Sequence, residues 1–412
     1  MPGRPWAIAP DKQSLEWRWN RLRDESDANK KEELFHPQLR HGKVASRHIG
    51  KIVNQNLGSI LTSNIAIKND GGTCPDPVRY AFRSFDHQWL VGDARMLNDP
   101  RPKLWSKASS AQVFLTALEA SSPASGPAVT FTNLIPDQDH YHGRGGRVYP
   151  LWADPAAKNT NIRPALLELL AKTYGIAVTP EDMFAYIAAV MAHPAFTARF
   201  RNDLRRPGLR LPLTADAKLF SEAVALGREV VWLHSYGERF VDAAAGRPKG
   251  PPRMAKHIEP TIPADGAIPG APEPLPDTMT HDAAKRRLHV GTGYVDNVSP
   301  AMWDYEVSGK QVVWQWFSYR RRDRSKPIIG DRRPPSPLEK IQPESWLPEY
   351  TTDLLNLLRV LGRLVALEPA QATLLDRICD AGLIPLAKLQ EAGLADSAET
   401  GGDEIEGDEA EA

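Results

Sequence analysis

The chain has 412 residues, with 51 Lys or Arg balanced by 51 Asp or Glu, and a formal net charge of zero. Hydrophobic residues at 42% and charged residues at 25% exclude a fibrous or wholly disordered protein, and the length suggests two or three domains. Mean hydropathy is −0.42 and no apolar run nears the ~20 residues that cross a bilayer, so a soluble, cytoplasmic chain with no membrane partner is expected.

The two cysteines, Cys74 and Cys379, lie too far apart to suggest a disulfide scaffold or a cysteine-built zinc site. The neutral balance hides an asymmetry. Eight acidic and no basic residues fall between Asp396 and Glu411, leaving the preceding body at +8. Of the cations, 33 are Arg and 18 are Lys. Guanidinium forks match phosphates and guanine edges, so this composition permits a nucleic-acid partner. Residue type alone equally permits arginines that pair with local acids.

In chain order, residues 1–50 read as an N-terminal strap carrying Trp6, Trp17 and Trp19, with a short helix over Leu15 to Lys31. Residues 51–150 are sheet-rich: Trp89-Leu90-Val91, Val113-Phe114-Leu115 and Ala128 to Phe131 are apolar runs bounded by turn formers. Residues 160–240 switch to helical spacing. Leu166, Leu167, Leu169 and Leu170 open a helix that Gly175 ends. Thr179-Pro180-Glu181-Asp182 starts a second, since Thr caps, Pro fits the first turn and the acids suit the dipole. Pro194 stops or bends it, and another begins at Thr214.

Residues 245–280, dense in Pro, Gly and Ala, predict a linker or long loop. Strand character returns at Leu288 to Val290. A hairpin is predicted from Trp303 to Val307, through a Ser308-Gly309 turn, to Gln311–Phe317. Arg320 to Pro337 is a basic, proline-rich loop. Thr351 to Leu367 reads as an amphipathic helix interrupted by Pro369, followed by another over Ala370 to Cys379, so the hairpin and C-terminal helices occupy 285–380. Residues 395–412 are expected to be a disordered acidic tail. The fold class is α+β: a sheet-rich subdomain, a helical subdomain, a β hairpin and C-terminal helices.

There is no Gly-x-x-x-x-Gly-Lys-Ser/Thr loop, no Gly-x-Ser-x-Gly elbow, and neither Pro251-Pro252 nor Pro334-Pro335 precedes an aromatic as an amino-methyltransferase requires. Gly291-Thr292-Gly293 reads as a hairpin turn rather than a cofactor loop. Asp137-Gln138-Asp139-His140-Tyr141-His142 is the most metal-like run, yet a polar loop is the expected reading and no metal is assigned. Arg/aromatic segments are more suggestive: Tyr80 to Trp89 followed by Arg95 and Arg101, Gly143-Arg144-Gly145-Gly146-Arg147, and Tyr319-Arg320-Arg321-Arg322-Asp323-Arg324.

Several ordered blocks carry a family resemblance. They are Arg79-Tyr80-Ala81-Phe82-Arg83-Ser84-Phe85-Asp86 through Trp89 to Arg101-Pro102-Lys103-Leu104-Trp105; Gly143 to Leu151; Glu181 to Ile187 with His193-Pro194; Leu209 to Leu213; Leu233-His234; and Val298 through Trp303 to Tyr319-Arg320. Over about residues 30–380 the chain resembles the C-terminal specificity region of single-polypeptide type I (type ISP) restriction–modification enzymes. Ala81 stands where the family has Pro, and Phe82-Arg83 are additional.

The resemblance implies recognition of a double-stranded DNA sequence beside a methyltransferase. The family's nuclease, ATP-driven translocase and S-adenosylmethionine-dependent methyltransferase parts lie upstream of this region. A separate methyltransferase/translocase polypeptide is therefore expected, with S-adenosylmethionine and ATP bound there and no cofactor or catalytic residue in this chain. DNA contacts are expected at Arg83, Arg95, Arg144, Arg147, Arg320, Arg321 and Arg322. A truncated, inactive methyltransferase remnant and a protein-interaction module stand as alternatives.

Overall fold

A computed structural model describes residues 4–40, 43–44, 47–53, 57, 60, 63–118, 121–141, 146–206, 208–323 and 333–395. The expected acidic tail from Asp396 lies outside the described residues.

The described residues among the first fifty are woven into a core rather than strapped across one. β1 (Ile8–Ala9) leads to α1 (Lys12–Arg23), where Asp11 caps by accepting from the Ser14 N–H at 2.7 Å. The single helix expected over Leu15 to Lys31 is two, because Asp27 ends the break by capping α2 (Ala28–Phe35) through the Asn29 and Lys30 amides. A two-residue ribbon follows, β2 (Leu39–Arg40) against β3 (Lys43–Val44). β4 (Val78–Arg83) and β5 (Asp86–Leu90) form an antiparallel hairpin, and β1 adds to the free edge of β5 with Ile8 opposite Leu90. Asp86, Gln88 and Leu90 point inward along β5, while His87 and Trp89 take the other face. Trp6, Leu15, Trp19, Phe35, Tyr80 and Leu90 pack as one cluster, into which α3 (Pro102–Trp105) inserts Trp105. At about 1.5–3 kcal/mol for each fully buried large apolar side chain, this cluster alone anchors the N-terminal segment.

The larger core begins with β6 (Phe114–Leu118), flanked by β7 (Val129–Thr132) and β8 (Gly146–Pro150) in the order β7-β6-β8, all antiparallel. Every residue of β6 and β7 is buried, and the hydroxyls of Thr116 and Thr130 satisfy each other at 2.9 Å. α4 (Pro164–Tyr174) ends at Gly175, whose φ of 68° is the left-handed conformation that glycine adopts without strain. α5 (Pro180–Met191) carries the expected start as a complete capping box between Thr179 and Asp182. α6 (Pro194–Arg199) follows Pro194, and α7 (Ala217–His234) starts three residues after Thr214 because Asp216 is the cap. α5 and α7 cross so closely that a Cβ on Gly227 would lie 1.7 Å from the Ala185 carbonyl oxygen.

Residues 245–278 contain little regular structure but are docked. Trp232 donates its indole N–H to the Pro248 carbonyl, and Leu275 is buried. A three-stranded sheet follows, with β10 (Arg287–Val290) between β9 (Met279–Asp282) and β11 (Gly293–Val295). Gly291 has φ 58° in the turn joining β10 to β11, in keeping with the turn expected there.

The predicted hairpin is mostly helical. α8 (Pro300–Trp303) contains Trp303, and only β12 (Glu306–Val307) and β13 (Lys310–Gln311) pair across the Ser308-Gly309 turn. α9 (Val312–Ser318) replaces the second strand, since Val312, Val313, Trp316 and Phe317 all reach the core at helical spacing. The two expected C-terminal helices are one, α10 (Pro348–Asp380), running through Pro369. Leu354, Leu357, Leu361 and Leu364 before the proline and Leu374, Leu375 and Ile378 after it are all buried in the larger core. Gln371 fastens the join by donating to the carbonyls of Ala188 and Ala189 at 3.2 and 3.1 Å. Packing on both sides outweighs the one hydrogen bond Pro369 removes. α11 (Leu386–Glu391) ends the described chain. Among the described residues, no helix is long and apolar enough to cross a membrane.

Candidate nucleic-acid interface

The β4–β5 hairpin is the organising element. Its turn places Phe85 at φ 63°, and the strand register shifts between Ala81, opposite His87, and Arg83, opposite Asp86, so that Phe82 bulges from the ladder. Arg83 lies 3.9 Å over the Phe82 ring, forms an ion pair with Asp137 at 3.2 Å, and donates to the Phe82 carbonyl. Tyr319 packs edge-on against Phe82, with ring centroids 4.9 Å apart. Burial works against the charge of Arg83, but Tyr319, Asp137 and Asp139 outweigh it and hold its pKa above the ordinary value.

The loop carrying Asp137 is tied to the same hairpin. Tyr80 donates to Asp137 at 2.9 Å, and the Ser84 N–H donates to the His140 carbonyl at 2.7 Å. Gly146 opens β8 against this loop, where a Cβ would stand 2.7 Å from the Gln138 carbonyl oxygen. Arg147 is the next residue, with its side chain exposed. The metal-like run is thus a structural loop: Asp137 binds Tyr80 and Arg83, and buried His140 bonds Thr116 Oγ1 at 2.9 Å through Nδ1. His142 lies outside the described residues.

The seven arginines expected at DNA separate by burial. Arg83 reaches the hairpin tip, and Arg321 follows Tyr319 at its side, donating to the Asp323 carbonyl. Arg322 is exposed and paired with Asp277. Arg144 lies outside the described residues. Arg95 and Arg320 lie in the core and not on a surface loop. The Arg95 side chain is 2% exposed and forks onto Asp93, with Asp70 at 2.7 Å. The Arg320 side chain is fully buried, donates to Asp86 and to the Trp316 carbonyl at 2.8 Å each, and lies 3.9 Å over the Trp316 ring. Gln88 donates to the second Asp86 oxygen at 2.7 Å. Both guanidinium groups have their charge met inside the fold.

Two cationic features escaped the sequence reading. Lys12 and Arg79 lie over the Trp89 ring at 4.2 and 4.8 Å, a juxtaposition visible only once β1 and β4 flank β5. Arg201, Arg205, Arg206 and Arg210 are exposed around the turn at Asp203–Arg205. Four arginines in ten residues were the available signal.

The mixed α+β fold is shared with solved structures. The chain is similar to that in the cryoEM structure of a DrdV–DNA complex, at 16% identity and a TM-score of 0.55, over 90% of this chain and 34% of that one. It is also similar to the ATP-dependent Type ISP restriction-modification enzyme LlaBIII bound to DNA, at 12% identity and a TM-score of 0.53, over 92% of this chain and 22% of that one. The chain therefore spans about a third and a fifth of those proteins. No curated protein matches it in sequence. Residues 1–357 match the Type ISP C-terminal specificity domain, and the chain belongs to that family.

Proposed function

We propose that this chain recognises a double-stranded DNA sequence as the specificity part of a restriction–modification system, with methylation and translocation supplied by polypeptide outside these 412 residues. The observation that carries this reading is the match to the specificity-domain family across residues 1–357. The hairpin tip supports it chemically. Arg83 is held rigid by Phe82, Tyr319 and Asp137, and Arg147 and Arg321 stand on the elements adjoining it. Rigid guanidinium groups suit bidentate contact with guanine edges or phosphates. S-adenosylmethionine and ATP bind to the partner polypeptide in this scheme.

The test is duplex binding by the full chain across a salt series, after selection of a preferred site from randomised DNA. Affinity falls with salt, and Arg147→Gln or Arg321→Gln lowers the slope of log K against log salt by about 1 if the residue meets a phosphate. Arg83→Gln relaxes preference at one base position at a cost of about 1–3 kcal/mol. Binding that ignores salt, or no duplex binding at low salt with the methyltransferase polypeptide added, refutes the proposal.

A further inference from the structure

A groove of about 280 Å³ lies where the chain returning from α10 meets α6 and the turn after it. Phe196, Phe200, Leu204, Leu211, Pro212 and Leu383 make its apolar wall, which Asp203 and Arg210 also join. Leu383 is fixed there by backbone pairing: the Ile384 N–H donates to the Leu213 carbonyl at 2.8 Å, and the Ala215 N–H to the Gly382 carbonyl at 3.1 Å. It nonetheless remains 44% exposed. The groove falls short of the ~300 Å³ at which small-molecule pockets begin, but it accommodates one aliphatic side chain.

Charge surrounds this apolar wall. Residues 201–210 carry four Arg against Asp203, a net of +3, and all four guanidinium groups are exposed. Arg199 is already paired with Asp376 at 2.6 Å. Arg201, Arg205 and Arg206 form no ion pair among the described residues. Arg210 reaches only the carbonyls of Asp203, Arg206 and Gly208, at 3.3, 3.4 and 3.4 Å. An exposed apolar groove with a charged rim marks an interaction surface.

We propose that this groove is the docking site of the chain's own acidic C-terminal segment, with Ile405 in the apolar groove and the flanking acids on the arginines. Asp396 to Glu411 contain eight acidic residues and no basic one, and Ile405 is the one large apolar residue among them, between Asp403-Glu404 and Glu406. The attachment permits it. With α11 in between, the chain from Leu383 to Ala395 extends at most about 33 Å, and the ten residues on to Ile405 span up to about 33–36 Å, enough to come back. Duplex phosphates would also meet the arginines, but they offer nothing to the apolar wall. The contact needs no DNA, so it stands apart from the duplex-reading proposal.

The test uses the full chain and a fluorescein-labelled peptide of residues 396–412. A flexible tether sets an effective concentration on the order of 1 mM, so a segment that binds in trans at ~0.1 mM fills its own groove about tenfold over. The peptide is therefore expected to bind the full-length Asp403→Asn/Glu404→Gln/Ile405→Ser variant about tenfold more tightly than the parent, whose groove is already occupied. Salt of about 0.5 M abolishes binding to the variant, because exposed charge pairs are screened. Arg205→Glu/Arg206→Glu in the same variant removes peptide binding with an unchanged thermal midpoint, both residues being exposed. Backbone amides of residues 199–206 exchange more slowly in the parent than in the tail variant, independently of protein concentration. Equal peptide affinity for parent and variant, no binding to the variant at millimolar peptide, or identical exchange overturns the proposal. Protection that grows with protein concentration overturns it in favour of a second copy of the chain. An Arg205→Glu/Arg206→Glu pair that lowers duplex affinity but leaves peptide binding intact assigns the patch to nucleic acid and also overturns it.

Discussion

Asp86→Ala isolates the guanidinium of Arg320. The two side chains are 2% and 0% exposed and meet at 2.8 Å, with Gln88 holding the other carboxylate oxygen. Removing one partner of such a pair strands a charge in the core, at a cost of about 3–5 kcal/mol. Unfolding entropy near ~2.1 cal/mol/K per residue gives a chain of this length roughly 0.9 kcal/mol/K. If the chain melts as one unit, the midpoint falls by about 3–6 °C. Arg320→Met produces a similar fall, because Asp86 is then the stranded ion. The double variant Asp86→Leu/Arg320→Met recovers most of the loss, since replacing a whole buried pair by apolar groups of similar size is close to neutral. Scanning calorimetry reads the midpoints, and duplex affinity at fixed salt is measured on the same samples. An Arg320→Met variant that melts within about 1 °C of the parent while losing duplex affinity would refute the assignment and make Arg320 a DNA contact.

Gly227→Ala separates helix propensity from packing. Propensity alone adds about 1 kcal/mol, but the methyl group meets the Ala185 carbonyl oxygen at 1.7 Å, so a net loss of at least 1–3 kcal/mol is expected in urea unfolding; a gain would refute the crossing. Burial lowers the pKa of His140 and His234 to about 3, and His234 Nδ1 already accepts the Phe131 N–H at 3.1 Å. Protons therefore favour the unfolded chain. The contribution of each is intact above the unfolded value near 6.5 and falls by about 2 kcal/mol between pH 6.5 and 5, which a flat urea midpoint over that span would contradict. Pro369→Ala restores a backbone donor within α10 and raises the thermal midpoint, by up to about 3 kcal/mol of stability; a lower midpoint would mean that the ring itself supports the packing.

What the sequence determined by itself was largely local. The Thr179 capping box, the Gly175 stop and the buried strands β6 and β7 follow from chemistry within a few residues, and all are present. The ordered blocks also carried the family, whose specificity-domain description matches residues 1–357. Tertiary structure decided the rest. Val312 to Ser318 has the β-branched and aromatic content of a strand, but the core it faces selects the helix. Pro369 is a helix breaker by local rule, and the core on either side of it carries the helix through. Arg320 looked like part of an exposed basic loop. Its partner, Asp86, lies 234 residues away, and only the fold brings the two together. Residue type told which side chains carry charge; burial and long-range pairing determined which of them remain at the surface to meet a partner.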